Sequence, residues 1–320
     1  MKPFFMAINR HRLTFLSLPG IVSIGMGMKT SRNLNTDVPS LVFGVEKKLP
    51  INAIPPDQLI PGMVDSLYTD VVEMGKIKFL GYALPPSKNP VNEPVDMRLQ
   101  KIRPAQPGVS IGHYRTTAGT FGALVKGDFP NGIAILGNNH ILANATDGKD
   151  GLSFPGDPIL QPGPYDKGTS DDIIARLYSF SPMLSVKKSG TEPLNSVDAA
   201  LAIPLEPELV TGRILDLGLI TSTTQAYPGM IVFKSGRSSG FTRGRITSIG
   251  NTVRVENDKK TYIYQSQIGF NARSAGGDSG SLVVNQSGRA VGLLFAGSEK
   301  MTFANPINAV LNYFGVTLSQ

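Results

Sequence analysis

Gly276-Gly277-Asp278-Ser279-Gly280-Ser281, running into Leu282-Val283-Val284, is the stretch on which the fold turns. Glycines at 276, 277 and 280 permit a tight turn that presents the Ser279 hydroxyl and a pair of backbone N–H groups on one side. The apolar run behind them reads as a strand, and a loop at a strand edge is where an accessible nucleophile sits. On composition alone the same residues read equally as a plain turn. A serine hydroxyl is a weak nucleophile unless a base stands beside it, so the reading depends on what else the chain supplies.

It supplies three histidines, His11, His113 and His140. His140 stands in Asn138-Asn139-His140-Ile141-Leu142-Ala143, just after the strand-like run Ile133-Ala134-Ile135-Leu136-Gly137, so a strand delivers it to a loop. Asp198 enters the otherwise apolar stretch Val197-Asp198-Ala199-Ala200-Leu201-Ala202-Ile203. A carboxylate there is either a solvated turn residue or a paired one, because burying it unpaired is costly. The order His140, Asp198, Ser279 then separates the folds that share such a set. No histidine follows Ser279, which excludes the α/β-hydrolase order, and the Gly-x-Ser-x-Gly elbow fails at Ser281. A subtilisin-like order needs the acid before His140 and an α/β sheet, and the region does not alternate strands with helices.

Residues 107–315 thus resemble a trypsin-like serine protease, specifically the cysteine-free bacterial branch that includes relatives of the plant narrow-leaf proteins. The resemblance rests on Leu136–Ala143, Val197–Ala202, Gly277–Ser281 and Val291-Gly292-Leu293-Leu294-Phe295-Ala296-Gly297-Ser298. The stretch Val232–Gly244 also looks like the opening strands of the family's second barrel. The resemblance implies a mainly β fold, a chymotrypsin-like double antiparallel β-barrel with a C-terminal helix and the active site between the barrels. It implies His140 as general base, Asp198 as its orienting acid, Ser279 as nucleophile, and the N–H groups of Gly277 and Ser279 as the oxyanion hole. Phe295, Ala296 and Gly297 would pair with substrate backbone and wall the specificity pocket. Arg273, six residues before Ser279, replaces the acid of trypsin-like pockets. It either makes a cationic floor suited to acidic side chains or points outward. In secreted relatives Asp278 pairs with a new N-terminus made by cleavage, whereas here about a hundred residues precede the protease-like region.

Composition bounds the rest. The chain has 320 residues, 35 glycines and 24 prolines, with short β-branched runs between them, as many strands joined by tight turns require. No cysteine is present, which excludes thiol nucleophiles, disulfides and thiolate metal sites and leans toward an intracellular, cytoplasmic setting. Net charge is +7, densest at Lys234, Arg237, Arg243 and Arg245, without a nucleic-acid motif. The resemblance reassigns that cluster to scaffold. No apolar run reaches the roughly 20 residues that span a bilayer. Asp147, Asp150 and Asp157 match no calcium-loop spacing, and no phosphate-binding loop is present. Protein or peptide is therefore the expected partner, with no membrane, nucleic acid, metal or cofactor.

Along the chain, residues 1–84 read as a small α+β domain. Its expected elements are an amphipathic helix near the N-terminus and strands at Val22–Lys29, Leu41–Val45 and Thr69–Met74. Residues 85–106, with prolines at 85, 86, 90, 94 and 104, read as a linker, and residues 107–320 as the protease-like domain. Strands are expected at 120–125, 133–136, 199–203, 230–233, 245–249, 252–255, 281–284 and 290–295. A closing helix is expected with Asn305 as N-cap, Pro306 first and Gly315 as the stop. The N-terminal part could dock a regulatory partner, restrain the active site or act as a propeptide. A protease-shaped scaffold or binding protein is the alternative to an active endopeptidase.

Overall fold

The computed structural model describes residues 1–31, 34–81, 96–187, 192–257 and 260–319. Helix α1 (Lys2–Leu16) carries Pro3 in its first turn, where the missing N–H is not needed, and buries Ala7, Ile8 and Leu16. The alternating run after it becomes β1 (Ile21–Ser31), antiparallel to β2 (Leu34–Val45). Short β3 (Met63–Val64) pairs with β4 (Leu67–Glu73), which lies parallel to β2, and β5 (Lys78–Phe79) follows.

The next strands close a first barrel. They are β6 (Ser110–His113), β7 (Gly119–Thr120), β8 (Ala123–Lys126), β9 (Ile133–Gly137), β10 (Pro158–Leu160) and β11 (Ile173–Phe180), with the one-turn helix α2 (Asn139–Leu142) after β9. Beyond β12 (Leu194–Asn195), β13 (Ala200–Pro204) completes the set, and β14 (Arg213–Ile214) and β15 (Gly218–Leu219) form a hairpin outside it. With β7 and β8 as two halves of one bent strand, the ring runs β6, β7/β8, β9, β13, β11, β10 and back to β6, antiparallel throughout.

The second barrel is built from β16 (Ile231–Gly236), β17 (Gly240–Asn257), β18 (Lys260–Phe270), β19 (Leu282–Asn285), β20 (Ala290–Gly297) and β21 (Thr302–Pro306). Its ring runs β16, β17, β18, β21, β20, β19 and back to β16. The expected strands 245–249 and 252–255 are one strand: Gly250 takes φ 62° and the register shifts there, so the chain bulges instead of turning back. Strand β1 pairs antiparallel with β17, which makes the sheet of the first eighty residues continuous with this barrel. Ile8, Ile24 and Phe43 share one apolar cluster with Ile246, Ile268 and Phe270.

Of the proline-rich stretch 85–106, residues 85–95 lie outside the described residues. The remainder follows the first barrel: Ala105 N–H donates to the Leu209 carbonyl at 2.7 Å, and buried Arg98 pairs with Asp216. Helix α3 (Ile307–Phe314) ends at Gly315 in the left-handed region, as expected. Its start differs. Pro306 is the N-cap, and Asn305 makes no capping bond because its side chain is committed to the Asp198 loop. After α3, β22 (Thr317–Leu318) returns to pair with β8 of the first barrel. Among the described residues no helix is long and apolar enough to cross a membrane.

Candidate active site

Ser279 sits on a loop of the second barrel pressed against the first. Gly277 and Gly280 hold φ 102° and 99°. A Cβ on Gly277 would stand 2.2 Å from Ser238 Oγ, and one on Gly280 would stand 2.1 Å from the Thr120 carbonyl oxygen, so neither position admits a side chain. Thr120 stitches the barrels together: its N–H donates to the Ser279 carbonyl at 2.7 Å and its hydroxyl to the Gly277 carbonyl at 2.8 Å.

Asp278 anchors this loop from inside the second barrel. Its carboxylate accepts from the N–H groups of Ser238 and Ser239 at 3.0 Å each, from Ala275 N–H at 2.9 Å, and from the Ser239 hydroxyl. Its counter-charge is Lys234 Nζ at 3.0 Å, both side chains being fully buried. Burial pushes the Lys234 ammonium below its usual pKa, and Asp278 opposes that shift. A lysine of this same barrel therefore supplies the positive charge that the buried Asp278 carboxylate requires. Two of the four clustered basic residues, Lys234 and Arg237, are buried scaffold, Arg237 paired with Asp166, whereas Arg243 and Arg245 are exposed.

His140 is carried by α2, directly after β9. Its Nδ1 is hydrogen-bonded to Asp198 Oδ2, and its Nε2 lies 2.8 Å from Ser279 Oγ. Asp198 is fully buried at the entry to β13, where its Oδ1 also accepts from His140 N–H at 3.3 Å. Its backbone is fixed from both barrels. Asn138 Nδ2 and Asn305 Nδ2 donate to the Asp198 carbonyl at 2.7 and 3.1 Å, and Asp198 N–H donates to Asn305 Oδ1 at 3.0 Å. Behind the acid, the Tyr264 phenol is wholly buried and its pKa is raised, first by desolvation and then by Asp198. The phenol therefore stays neutral. The sequence carries no local sign of Asn305, Tyr264 or Lys234 in these places.

The other two histidines are elsewhere. His11 Nε2 is 3.1 Å from Asp65. His113 is fully buried, with Nε2 3.1 Å from Asp157 and Nδ1 accepting from Arg115 N–H at 3.2 Å. Desolvation lowers its pKa more than Asp157 raises it, and Arg115 lowers it further. The unfolded chain therefore takes up this proton near pH 6.5 while the folded one resists it. Its stabilising contribution is complete above that pH and is lost as pH falls toward the folded value. His113→Gln is expected to flatten the decline of the urea midpoint between pH 7 and pH 5. An unchanged slope would show that His113 does not carry it.

Of the residues expected to meet substrate, Phe295, Ala296 and Gly297 lie in β20, where the chain's own segment 78–80 is paired with them, and Gly297 also borders a cavity. Ser279 Oγ also lies 3.1 Å from the Phe295 carbonyl. Arg273 is not brought to the site: it is exposed and absent from the cavity walled by Ser274, Gly276, Gly297 and Leu80. Among the described residues no group of three or more metal-ligating side chains could hold an ion.

No protein-family model and no curated protein matches the chain. Among solved structures the chain is similar to Thermobifida fusca protease A, at 20% identity over 68% of this chain and 100% of that one, TM-score 0.48. It is also similar to a Cellulomonas bogoriensis chymotrypsin, at 16% identity over 67% and 99%, TM-score 0.46. A Nocardiopsis protease follows at 17% identity over 68% and 100%, TM-score 0.45. By its own topology, two closed six-stranded antiparallel barrels meeting at the Ser279 loop with a helix at the C-terminal end, the chain has a mainly β, chymotrypsin-like fold.

Proposed function

We propose that this chain is a trypsin-like serine endopeptidase of the cysteine-free bacterial branch. The hydrogen-bonded line Asp198, His140, Ser279 across the junction of the barrels carries the reading. With Nδ1–H donated to Asp198, Nε2 is free to accept the Ser279 proton as Oγ attacks a peptide carbonyl. The N–H groups of Gly277 and Ser279 are the donors for the developing oxyanion, and Gly277 N–H already donates to a main-chain carbonyl, that of Leu80, at 2.5 Å. His140 returns the proton to the leaving nitrogen, and water then releases the acyl group from Ser279.

The alternative is a restrained protease-fold scaffold, favoured by one observation: Ser279 has no exposed surface. Labelling with a fluorophosphonate separates the two. Purified wild type is expected to label and Ser279→Ala to lose the label entirely. Equal labelling of both would remove Ser279 from the role of activated nucleophile.

A further inference from the structure

Residues 77–81 lie in the cleft backbone-first. Glu256 N–H donates to the Ile77 carbonyl at 2.9 Å. Phe79 and Lys78 run antiparallel to Ala296 and Gly297, and Leu80 N–H donates to the Phe295 carbonyl at 3.2 Å. The Leu80 carbonyl accepts from Gly277 N–H at 2.5 Å, and Thr117 Oγ1 donates to the Gly81 carbonyl. The Phe79 ring packs on the His140 ring with centroids 4.8 Å apart. A Cβ on Gly81 would stand 2.8 Å from His140 Nε2, so Gly81 lies against the nitrogen that faces Ser279. Leu80 is 9% exposed within the apolar cluster that contains Phe270 and Ala272, its Cδ1 3.1 Å from where a Gly297 Cβ would be.

A tether that merely crossed the surface would not need these contacts together. One carbonyl is held by the candidate oxyanion donor, the residue before it stacks on the candidate base, and the residue after it touches the base's reactive edge. Taking the peptidase reading above as its basis, we propose that the Leu80–Gly81 bond is a self-cleavage site, cut by Ser279 of the same chain. Ser279 Oγ bonds to the Leu80 carbonyl carbon while its proton passes to His140 Nε2, and the oxyanion rests on Gly277 N–H. Collapse breaks the bond between Leu80 C and Gly81 N, the nitrogen taking the proton from His140. Water then hydrolyses the ester, leaving a Leu80 carboxylate, a free Gly81 amine and the restored Ser279 hydroxyl. Because β1 is paired with β17 and α1 is packed into the shared core, residues 1–80 stay on the molecule after the cut. Leu80 is buried in an apolar cluster, which makes a large aliphatic residue before the scissile bond the substrate class the site fits.

The test follows the full chain, wild type and Ser279→Ala, by denaturing mass spectrometry, with fluorophosphonate labelling of the same samples. Wild type is expected to convert to fragments 1–80 and 81–320 that co-elute under native conditions, at a fractional rate independent of protein concentration, while Ser279→Ala stays whole. Leu80→Asp, which sets a charge in an apolar pocket, is expected to slow the cut about 100-fold while Ser279 still takes the probe. A cut at another bond, or a fractional rate rising with concentration, overturns the proposal. Wild type that labels but stays whole overturns it and leaves the peptidase reading standing. If folded wild type stays whole and neither it nor Leu80→Asp labels, both readings fall.

Discussion

Lys234→Met will destabilise the fold by about 3–5 kcal/mol, because it leaves the Asp278 carboxylate buried without a counter-charge. The remaining partners of Asp278 are the N–H groups of Ser238, Ser239 and Ala275 and the Ser239 hydroxyl, all neutral dipoles. They solvate the charge without cancelling it. The expected loss corresponds to a fall in Tm on the order of 10 °C for a chain of this size, read by calorimetry or by the urea midpoint. Replacing both members, Lys234→Met with Asp278→Asn, removes the uncompensated charge and is expected to cost less than the single change. A single variant with wild-type Tm would mean that the pair contributes nothing. Since the same carboxylate pins Ala275 N–H at the start of the nucleophile loop, the surviving folded Lys234→Met protein should also label more slowly at Ser279.

If the proposed peptidase reading holds, Asp198→Asn is expected to lower kcat on a peptide substrate by about 10,000-fold with little change in the folded structure. The carboxylate accepts from both His140 N–H and His140 Nδ1–H. An amide that turns its NH2 toward Nδ1 stabilises the other tautomer, whose proton sits on Nε2 where the serine proton has to go. The bonds that fix the Asp198 backbone to Asn138 and Asn305 do not involve the exchanged group and remain. A loss below tenfold, with an unchanged urea midpoint, would remove Asp198 from the relay.

The parts legible in the sequence share one property: their residue types are scarce or their periodicity is short-range. Three histidines, none after Ser279, left one chain order, and the alternation of Val22, Ile24 and Met26 marked β1 without help from its neighbours. What stayed hidden depends on partners far along the chain. Strand β18 was not expected because Gln265-Ser266-Gln267 interrupts its apolar pattern. Those residues sit at register shifts, with Ser266 at φ 64° and Gln267 Nε2 donating to the Ser196 carbonyl at 2.9 Å. Asn305 reads locally as a helix cap, and the Asp198 loop, 107 residues earlier, outcompetes that local use with two hydrogen bonds between the two residues, a third running to Leu293 O on β20. Lys234 belongs to a basic cluster in the sequence, yet its charge is spent internally on Asp278. Nothing in Lys78-Phe79-Leu80-Gly81 marks it for a cleft whose walls lie about two hundred residues downstream.

The return of β22 to β8 gives the two halves a shared end. The chain leaves the first barrel after β13, makes the β14–β15 hairpin, builds the second barrel, crosses α3 and returns as an edge strand of the half it left. The halves are thereby belted at their C-terminal end as well as joined by the crossover before β16 and by the chain that runs from β5 into β6, so a swing of one against the other strains several connections at once. Ser279 and His140, which approach from opposite halves, owe their 2.8 Å spacing in part to a belt that contains neither of them.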